Sequence, residues 1–165
     1  MSGIIAIKQA EEKDLSVIEE ILLEAVNNFG MWSEEQVSRE RLAKDFSPDE
    51  LYIAYINDIP AGCMALQDCA PFFWFEKTEK GESLFLRRLA VKRSAAGQNF
   101  SKHLLEYAVN KFREKNIKSL RLDCDANIEK LNNIYKSFGF ILEKRETMKI
   151  GGKDYHISFY VYNIK

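Results

Sequence analysis

The segment from Leu84 to Leu105 constrains the fold of this chain more than any other stretch. It begins with a mostly apolar run, Leu84 to Val91, that is typical of a buried β-strand. Small, polar and basic residues follow. Phe100, Leu104 and Ala108 then recur at every fourth position, which predicts a helix. A strand, a short loop and a helix in this order indicate an α/β protein.

The loop inside this segment has the features of an anion-binding turn. The first N–H groups of a helix have no partner in the helix, and its dipole places partial positive charge there. A phosphate or pyrophosphate therefore suits the start of the helix. Close approach of a ligand is favoured by four small residues, Ala95, Ala96, Gly97 and Ser101. Positive charge comes from three basic residues, Lys92, Arg93 and Lys102. An ordinary connection capped by Ser94 or Asn99 is the alternative interpretation.

The charge balance and the cysteines restrict the classes of function. The chain has 165 residues, with 24 Lys and Arg against 25 Asp and Glu, and it lacks the basic footprint of a nucleic-acid-binding protein. We expect a single domain over residues 1–165. No apolar run is long enough to span a membrane and no signal peptide is recognisable. Because Cys63, Cys69 and Cys124 are dispersed, we expect a cytoplasmic protein without a metal site.

The first half of the chain predicts two helices between strands. Ile4 to Gln9 is a strand, and Glu11 to Asn27 has a helical apolar stripe that Gly30 closes. A capping pattern at Ser33 predicts a second helix to about Asp45. The two strands that follow, Leu51 to Ile56 and Ala61 to Leu66, form a hairpin. Residues 68–81 are irregular.

The second half predicts two further β-α units and a closing hairpin. Ile117 to Cys124 is a strand parallel to the central one, because a helix separates the two. Ile128 to Phe138 is a helix that ends at Gly139. The last strands are Phe140 to Ile150 and Tyr155 to Tyr162. The fold class is therefore α/β, with a mixed sheet of about seven strands and helices on both faces.

The order of elements and the segment after Leu84 resemble those of the GNAT superfamily of acetyl-CoA-dependent N-acetyltransferases. Leu89-Ala90-Val91 and the loop after them look like the family's acyl-CoA-binding segment, which usually carries Arg/Gln-x-x-Gly-x-Gly/Ala. The motif falls on Ala96-Gly97-Gln98-Asn99-Phe100-Ser101, so Ala96 replaces Arg or Gln, Asn99 replaces the first glycine and Ser101 replaces Gly or Ala. Asn tolerates an unusual backbone angle better than most residues.

A second segment supports the resemblance. Tyr135 and Gly139-Phe140 look like the Tyr-x-x-x-Gly-Phe ending of the family's other acyl-CoA segment. Asn127 lies one place before the position where an Asn is often found, and Ile128 holds that position. The implied cofactor-binding residues are Leu89, Ala90, Val91, Arg93, Ala96, Gly97, Gln98, Asn99, Phe100, Ser101, Lys102 and Asn127.

The resemblance implies transfer of an acetyl group from acetyl-CoA to an amine by direct attack in a ternary complex. In the family the central strand and the next one splay apart, and the pantetheine arm pairs with the backbone there. A backbone N–H near Leu89 or Val91 would stabilise the oxyanion. Tyr135 is implied as the general acid, although its place on an apolar stripe is also typical of a core residue. Cys124 is interpreted as a small core residue.

The general base is not assigned by the sequence. Some family members place a glutamate on the central strand, where this chain has Phe85. The remaining candidates are Glu82, Asp123, Glu34, Glu35 and a water relay.

Arg87 and Arg88 form an unusual pair on the central strand. Strand alternation predicts that they point to opposite faces. Either one binds a structural partner such as Glu82 or Asp123, or one meets a carboxylate of the acceptor. Three aromatic residues are candidates for the wall of the acceptor pocket or for the core, namely Trp32, Phe72 and Trp74.

Two functions from different classes remain open at this point. The first is the N-acetyltransferase, which acts on an unidentified primary amine and possesses no nucleic-acid or membrane partner. The sequence leaves its oligomeric state open, with a homodimer among the alternatives. The second is a non-catalytic, CoA-binding or regulatory module with the same fold, which the degenerate loop and the missing strand carboxylate favour. A nucleotide-binding protein is a weaker alternative, because the chain lacks a P-loop and a three-glycine turn.

Overall fold

The computed structural model describes residues 3–29, 32–71, 74, 81–97 and 99–163. The chain divides into two compact units. The first unit consists of Met1–Gln67 and Arg87–Tyr107, and the second of Asp68–Leu86 and Ala108–Lys165.

The first unit contains three complete strands and two complete helices. Their bounds are β1 Ile5–Gln9, α1 Leu15–Phe29, α2 Arg39–Asp45, β2 Leu51–Ile56 and β3 Ile59–Gln67. The unit also holds the end of β4, Ser83–Val91, and the start of α3, Phe100–Glu114. Short 3₁₀ helices cover Glu12–Asp14, Glu35–Val37, Pro48–Glu50 and Arg93–Ala95.

The second unit contains the remaining strands and the last helix. Their bounds are β5 Ser119–Asp125, α4 Glu129–Phe138, β6 Ile141–Ile150 and β7 Lys153–Asn163, together with the start of β4 and the end of α3. The strand order is β1-β2-β3-β4-β5-β7-β6. β4 and β5 are parallel, whereas β1 with β2, β2 with β3, β5 with β7 and β6 with β7 are antiparallel. The predicted seven-stranded mixed sheet is confirmed.

Alternation along the strands gives the first unit two buried faces. Ile53 and Cys63 lie in one apolar cluster with Ile18 and Leu22 of α1. The residues next to them along β2 and β3 point to the opposite face of the sheet. A Cβ atom added at Gly62 would lie 3.0 Å from the Phe100 ring and 2.9 Å from the Ala90 carbonyl oxygen. Gly62 therefore lets the start of α3 pack directly on β3.

The second unit also has two buried faces. Trp74 packs edge-on against Phe85 and Phe159, with ring centroids 5.1 Å and 5.0 Å apart. The next residue of β7, Tyr160, faces the opposite side, where its ring lies 5.9 Å from that of Tyr135 in α4. Helices thus cover one face of these strands and the Trp74 cluster covers the other.

The helix predicted from Ser33 to Asp45 is wrong in one respect. Ser33 and Gln36 do form the expected capping pair, since the Ser33 amide donates to Gln36 Oε1 at 2.9 Å. The turn is only a short 3₁₀ helix, because Ser38 has an extended backbone with ψ 154°. Ser38 then caps α2 by accepting a hydrogen bond from the Arg41 amide. The α-helix therefore begins after Ser38 and not after Ser33.

No α-helix in the described ranges is long and apolar enough to cross a membrane. The same ranges contain no group of three or more His, Cys, Asp or Glu residues that could hold a metal ion.

Candidate functional site

The loop after β4 is fixed at both ends by buried residues. Ala95 is 2% exposed and Phe100 is 2% exposed, so each end of the loop is packed into the first unit. The Lys92 amide donates to the Ala61 carbonyl oxygen at 2.7 Å. The surface of the loop is exposed at Arg93, Ser94, Ala96, Gly97 and Asn99. A rigidly anchored turn is thereby held at the surface in front of α3.

Two residues of this turn have a left-handed backbone. The φ angle is 83° at Gly97 and 54° at Asn99. Gln98, the predicted site residue between them, lies outside the described residues. Asn is one of the few side chains that tolerate this region, and the unusual backbone angle expected at Asn99 is therefore present.

The amides of the loop divide into two groups. The Arg93 amide donates to Glu24 Oε2 at 2.9 Å, and the amides of Ala95 and Ala96 donate to loop carbonyl oxygens. The amides of these three residues are therefore already bonded within the protein. The amides of Gly97, Asn99 and Phe100 have no acceptor within the described part of the chain. The anion-binding capacity is concentrated at the end of the loop next to α3.

The basic side chains around the loop also differ from one another. Lys92 Nζ lies 3.1 Å from Glu20 Oε1, so its charge is offset by α1. Lys102 Nζ lies 3.8 Å from Glu106 Oε1 on the same helix face, and both side chains are largely exposed. An exposed pair of this kind is weak and is easily rearranged by a ligand. The side chains of Arg93 and Lys102 are therefore the accessible cations of the loop.

The end of β4 carries Leu89, Ala90 and Val91. The parallel register of β4 and β5 ends at Leu86 and Leu122. Both strands continue past this register among the described residues, β4 to Val91 and β5 to Asp125.

Tyr135 lies in the second unit and is buried, with 5% of its surface exposed. Its ring contacts those of Phe140 and Tyr160, each with centroids 5.9 Å apart. Burial raises the pKa of Tyr135 above its usual value, and Cys124 and Asp123 raise it further. The phenol therefore stays protonated at neutral pH. It can donate a hydrogen bond, but it is a weaker acid than a free tyrosine.

The family of this chain can be identified by comparison with known proteins. Residues 15–140 match the Acetyltransferase (GNAT) family. The chain belongs to that family. A stretch of 76 residues is 33% identical to the uncharacterized N-acetyltransferase YesJ of Bacillus subtilis (strain 168), covering 46% of this chain and 39% of YesJ. The match thus spans about two fifths of that relative's length.

Solved GNAT structures have the same fold at low sequence identity. An N-acetyltransferase from Staphylococcus aureus Mu50 has a TM-score of 0.78 and 18% identity, covering 98% of this chain and 99% of that one. The protein yncA from Salmonella typhimurium, solved with its cofactor acetyl-CoA, has a TM-score of 0.75 and 16% identity over 98% and 95% of the two chains. The fold predicted from the sequence is that of the GNAT family.

The second GNAT segment differs from the sequence-based expectation in the role of its asparagines. Asn127 is exposed, and its amide donates to Asp125 Oδ1 at 2.8 Å in a turn before α4. Asn132, which the sequence reasoning missed, is 3% exposed. Its Nδ2 donates to the carbonyl oxygens of Asp125 and Ile128, and its Oδ1 accepts from the Tyr160 hydroxyl at 2.6 Å. The signal that could have revealed Asn132 is its position as a polar residue on the apolar stripe of α4.

The candidate bases of this GNAT chain have varied surroundings. Phe85, at the position of the family glutamate, is 1% exposed and belongs to the Trp74 cluster. Glu82 is exposed at the start of β4. Asp123 Oδ2 accepts a hydrogen bond from the Trp74 indole at 3.0 Å. Glu35 is paired with Arg41 at 2.9 Å. Asp123 is thus held by a buried side chain.

The buried thiols of the chain are poor nucleophiles. Burial raises the pKa of Cys124 to about 12, and the pKa of Cys63 rises to about 12 for the same reason. Each remains a protonated thiol at neutral pH, and the thiolate is the reactive form. These positions agree with the interpretation of Cys124 as a core residue.

The prediction that Arg87 and Arg88 point to opposite faces is wrong. Arg88 has a left-handed backbone with φ 54°, which interrupts the alternation of β4. Both guanidinium carbons consequently lie over the ring of Phe46, at 5.2 Å for Arg87 and 5.8 Å for Arg88.

The three aromatic candidates for the wall of the acceptor pocket differ in their surroundings. Trp74 is 7% exposed and is part of the core of the second unit, as its alternative interpretation predicted. Trp32 is partly buried, and its ring lies 5.5 Å from the Arg88 guanidinium carbon. Phe72 lies outside the described residues.

Proposed function

We propose that this GNAT protein is an N-acetyltransferase that moves an acetyl group from acetyl-CoA to a primary amine. The observation that carries the proposal is the turn in front of α3. Its left-handed residues Gly97 and Asn99 lie in the segment that resembles the acyl-CoA-binding motif of the family.

The turn fits a diphosphate in shape and in charge. Amides next to left-handed residues at a helix start form a concave donor site for anions. The amides of Gly97, Asn99 and Phe100 would donate to the diphosphate, and the side chains of Arg93 and Lys102 would add positive charge. A Cβ atom at Gly97 would meet nothing within 4 Å, so the space beside the turn is open. Ala96, Gln98 and Ser101 complete the proposed segment, and Asn127 is a further proposed contact.

The end of β4 would hold the reacting group. Bound acetyl-CoA supplies an acetyl thioester, which is activated toward amines. The backbone of Leu89, Ala90 and Val91 would align the pantetheine arm, and a main-chain N–H of Leu89 or Val91 would donate to the carbonyl oxygen as negative charge develops on it. A positioned backbone donor needs no reorganisation during the reaction.

Direct attack by the amine fits the residues better than an acyl-enzyme route. The neutral amine forms the C–N bond, the C–S bond breaks and CoA leaves as the thiolate. The proton lost by the amine passes to a base or to water, from which the thiolate is protonated. Cys124 and Cys63 both have raised pKa values, so neither presents a thiolate for a covalent step. Asp123, held by Trp74, and a water relay are the candidate proton acceptors.

Tyr135 is proposed as the proton or hydrogen-bond donor to the leaving sulfur. Its raised pKa keeps the phenol protonated across the physiological range. The same shift lowers its acidity, so stabilisation of the thiolate by a hydrogen bond is favoured over full proton transfer.

Calorimetry with CoA and thiol release from acetyl-CoA with an amine panel test the proposal. We expect CoA to bind wild type with a Kd in the micromolar range, and Arg93→Gln with Lys102→Gln to weaken binding about tenfold, as expected for two exposed charge contacts. Asn110→Gln, on the exposed side of α3, is the control and should bind as wild type. No heat with millimolar CoA would refute the proposal.

The non-catalytic CoA-binding module remains the second candidate. Phe85 at the position of the family glutamate, and the substitutions in the loop motif, favour it. Binding of CoA without thiol release for any amine would support this candidate. Loss of about tenfold or more in kcat on Tyr135→Phe, at unchanged KM for acetyl-CoA, would support the enzyme.

The proposed setting is the cytoplasm. Cys63, Cys69 and Cys124 are all free thiols, which suits a reducing compartment. A homodimer is a further proposal that sedimentation of the pure protein tests.

A further inference from the structure

The arginine pair on β4 is held in an unusual arrangement within the first unit. Arg88 is a left-handed residue inside a strand, a conformation that long side chains rarely adopt. It brings two guanidinium groups onto the same ring, that of Phe46. Trp32 flanks the Arg88 guanidinium as a second aromatic face. The term arginine clamp is used below for Arg87 and Arg88 with the rings of Phe46 and Trp32.

The arginine clamp has an energetic cost, because a left-handed backbone is unfavourable for a non-glycine residue. Strain of this kind persists where the surrounding structure imposes it, and it is concentrated at ligand sites. Two guanidinium groups over one ring would offer a bound oxyanion donors from both side chains.

The side chain of Arg87 is oriented in advance. Its Nη1 donates to Gln67 Oε1 at 2.8 Å. Gln67 is 6% exposed, and its Nε2 donates to the Asp45 carbonyl oxygen at 3.0 Å and to Glu50 Oε1 at 3.5 Å. The amide of Gln67 is thus fixed by the end of α2 and the 3₁₀ turn after it. A guanidinium held in this way loses little conformational entropy when it binds an oxyanion.

The position of the clamp relates it to the acceptor. Arg88 immediately precedes Leu89, and one strand residue spans about 3.3 Å. An anion on Arg88 would therefore lie within about 10 Å, measured along the strand, of Leu89 to Val91, the proposed place of the thioester. A small acceptor molecule bound there would place its amine on the same stretch of β4.

We propose that the acceptor of this acetyltransferase is an amine that also carries an oxyanion, namely the carboxylate of an amino acid, and that the arginine clamp binds it. The inference rests on the proposed function. Guanidinium groups bind carboxylates and phosphonates in the same two-point geometry, so the shared chemistry is that of an oxyanion. A carboxylate is the choice here because it is planar, as the guanidinium group is, so two parallel N–H···O bonds can form between them.

The test compares acceptors that differ only in charge. Amino acids, their carboxamides and their aminophosphonate analogues are assayed with acetyl-CoA by thiol release. We expect kcat/KM for amino acids to exceed that for carboxamides by roughly 100-fold, the size expected for a desolvated ion pair. The amino groups of carboxamides are less basic, so a larger fraction of them is neutral and able to attack at neutral pH. This difference favours the carboxamides and therefore opposes the expected result. A preference for aminophosphonates over amino acids would overturn the choice of a carboxylate.

Two variants locate the effect. Arg88→Gln and Arg88→Gly should each raise KM for amino acids at least tenfold, with KM for acetyl-CoA unchanged and carboxamide rates unchanged. Glycine accepts the left-handed backbone without strain, so Arg88→Gly guards against misfolding. Arg113→Gln, an exposed arginine at the end of α3, is the control and should leave every constant unchanged.

Three outcomes would overturn the inference in distinguishable ways. Equal rates for amino acids and carboxamides would remove the clamp from acceptor binding while the proposed function stands. A rise in KM for acetyl-CoA in both Arg88 variants would show that the clamp binds a phosphate of CoA instead. Failure to bind CoA in the calorimetric experiment would refute the proposed function and this inference together.

Discussion

The turn after β4 and the surroundings of Tyr135 meet backbone and polar requirements in opposite ways. The turn is exposed, uses left-handed residues at Gly97 and Asn99, and has amides without acceptors in the described part of the chain. Around Tyr135 the polar groups are buried and bonded to each other, as in the contact of the Tyr160 hydroxyl with Asn132 at 2.6 Å. The first region retains binding capacity, whereas the second uses its hydrogen bonds for stability.

The difference teaches where a substitution should affect ligand binding and where it should affect folding. An unsatisfied amide at the surface is hydrated and is inexpensive to maintain, so it remains available to a ligand. An unsatisfied group in the interior costs about 1–3 kcal/mol, so buried polar groups are bonded. Changes in the turn should therefore weaken CoA binding, and changes near Asn132 should weaken the fold. The following predictions test this division.

Asn132→Ala should have the largest effect on stability. It removes hydrogen bonds to the carbonyl oxygens of Asp125 and Ile128, and it leaves the buried Tyr160 hydroxyl without its acceptor. We expect the free energy of unfolding to fall by about 3 kcal/mol, measured by urea denaturation. Asn133→Ala is the matched control, because Asn133 is exposed on the same helix, and it should change stability by less than about 0.5 kcal/mol. Equal losses in the two variants would contradict the role of Asn132.

Asn99→Val should have an effect of intermediate size, and it should lower both the stability of the protein and its affinity for CoA. A β-branched residue at φ 54° costs about 1–2 kcal/mol. The turn would relax, so we expect CoA affinity to fall about tenfold, the equivalent of about 1.4 kcal/mol. Asn99→Gly is the matched control and should bind CoA at least as well as wild type. If Asn99→Gly weakened binding as much as Asn99→Val, the side chain rather than the backbone would be the important feature.

Alkaline pH should produce the smallest effect, and only in the buried region. The pKa of Cys124 is raised to about 12 in the folded protein from a usual value of 9.0. Its contribution to stability is present below pH 9 and is lost as the pH rises from 9 to 12, because the unfolded thiol ionises first. Between pH 8 and pH 10 the loss should be about 1 kcal/mol.

Two variants isolate that contribution in pH-dependent urea denaturation. Cys124→Ala should make the decline less steep, with the remainder due to Cys63, whose pKa is also raised to about 12. Cys69→Ala, at an exposed position, should leave the slope unchanged. An equal slope in wild type and Cys124→Ala would show that the Cys124 thiol does not contribute.

Much of the fold could be predicted because each element carries a local signal. A β-prone run followed by a turn predicted the first hairpin, and Gly151 and Gly152 predicted the turn between the closing strands. The apolar stripe of α4 ended at Gly139, whose φ is 123°, as the C-terminal rule predicts. The helix after Ser33 could not be predicted correctly, because Ser33 and Ser38 are both good caps and their competition depends on the surroundings of each.

The candidate site was less predictable than the fold. The motif comparison indicated Asn99 and suggested an unusual backbone angle, which its φ of 54° bears out. The loss of the Arg93 amide to Glu24 could not be predicted, since Glu24 is 69 residues away in the sequence. The same holds for Asn132, whose partner Tyr160 lies 28 residues further along. Such pairings depend on packing rather than on local composition.

The sequence by itself determined the order of elements, the periodicities of their buried faces and the position of the turn in front of α3. These are local properties, because they follow from side-chain spacing and backbone preferences within a few residues. Only the tertiary structure decided which loop amides remain available and which carboxylates are already paired. It also decided that Arg87 and Arg88 share one aromatic ring. The physical reason is that one left-handed residue in β4 reverses the side-chain alternation, and no periodicity in the sequence records that reversal.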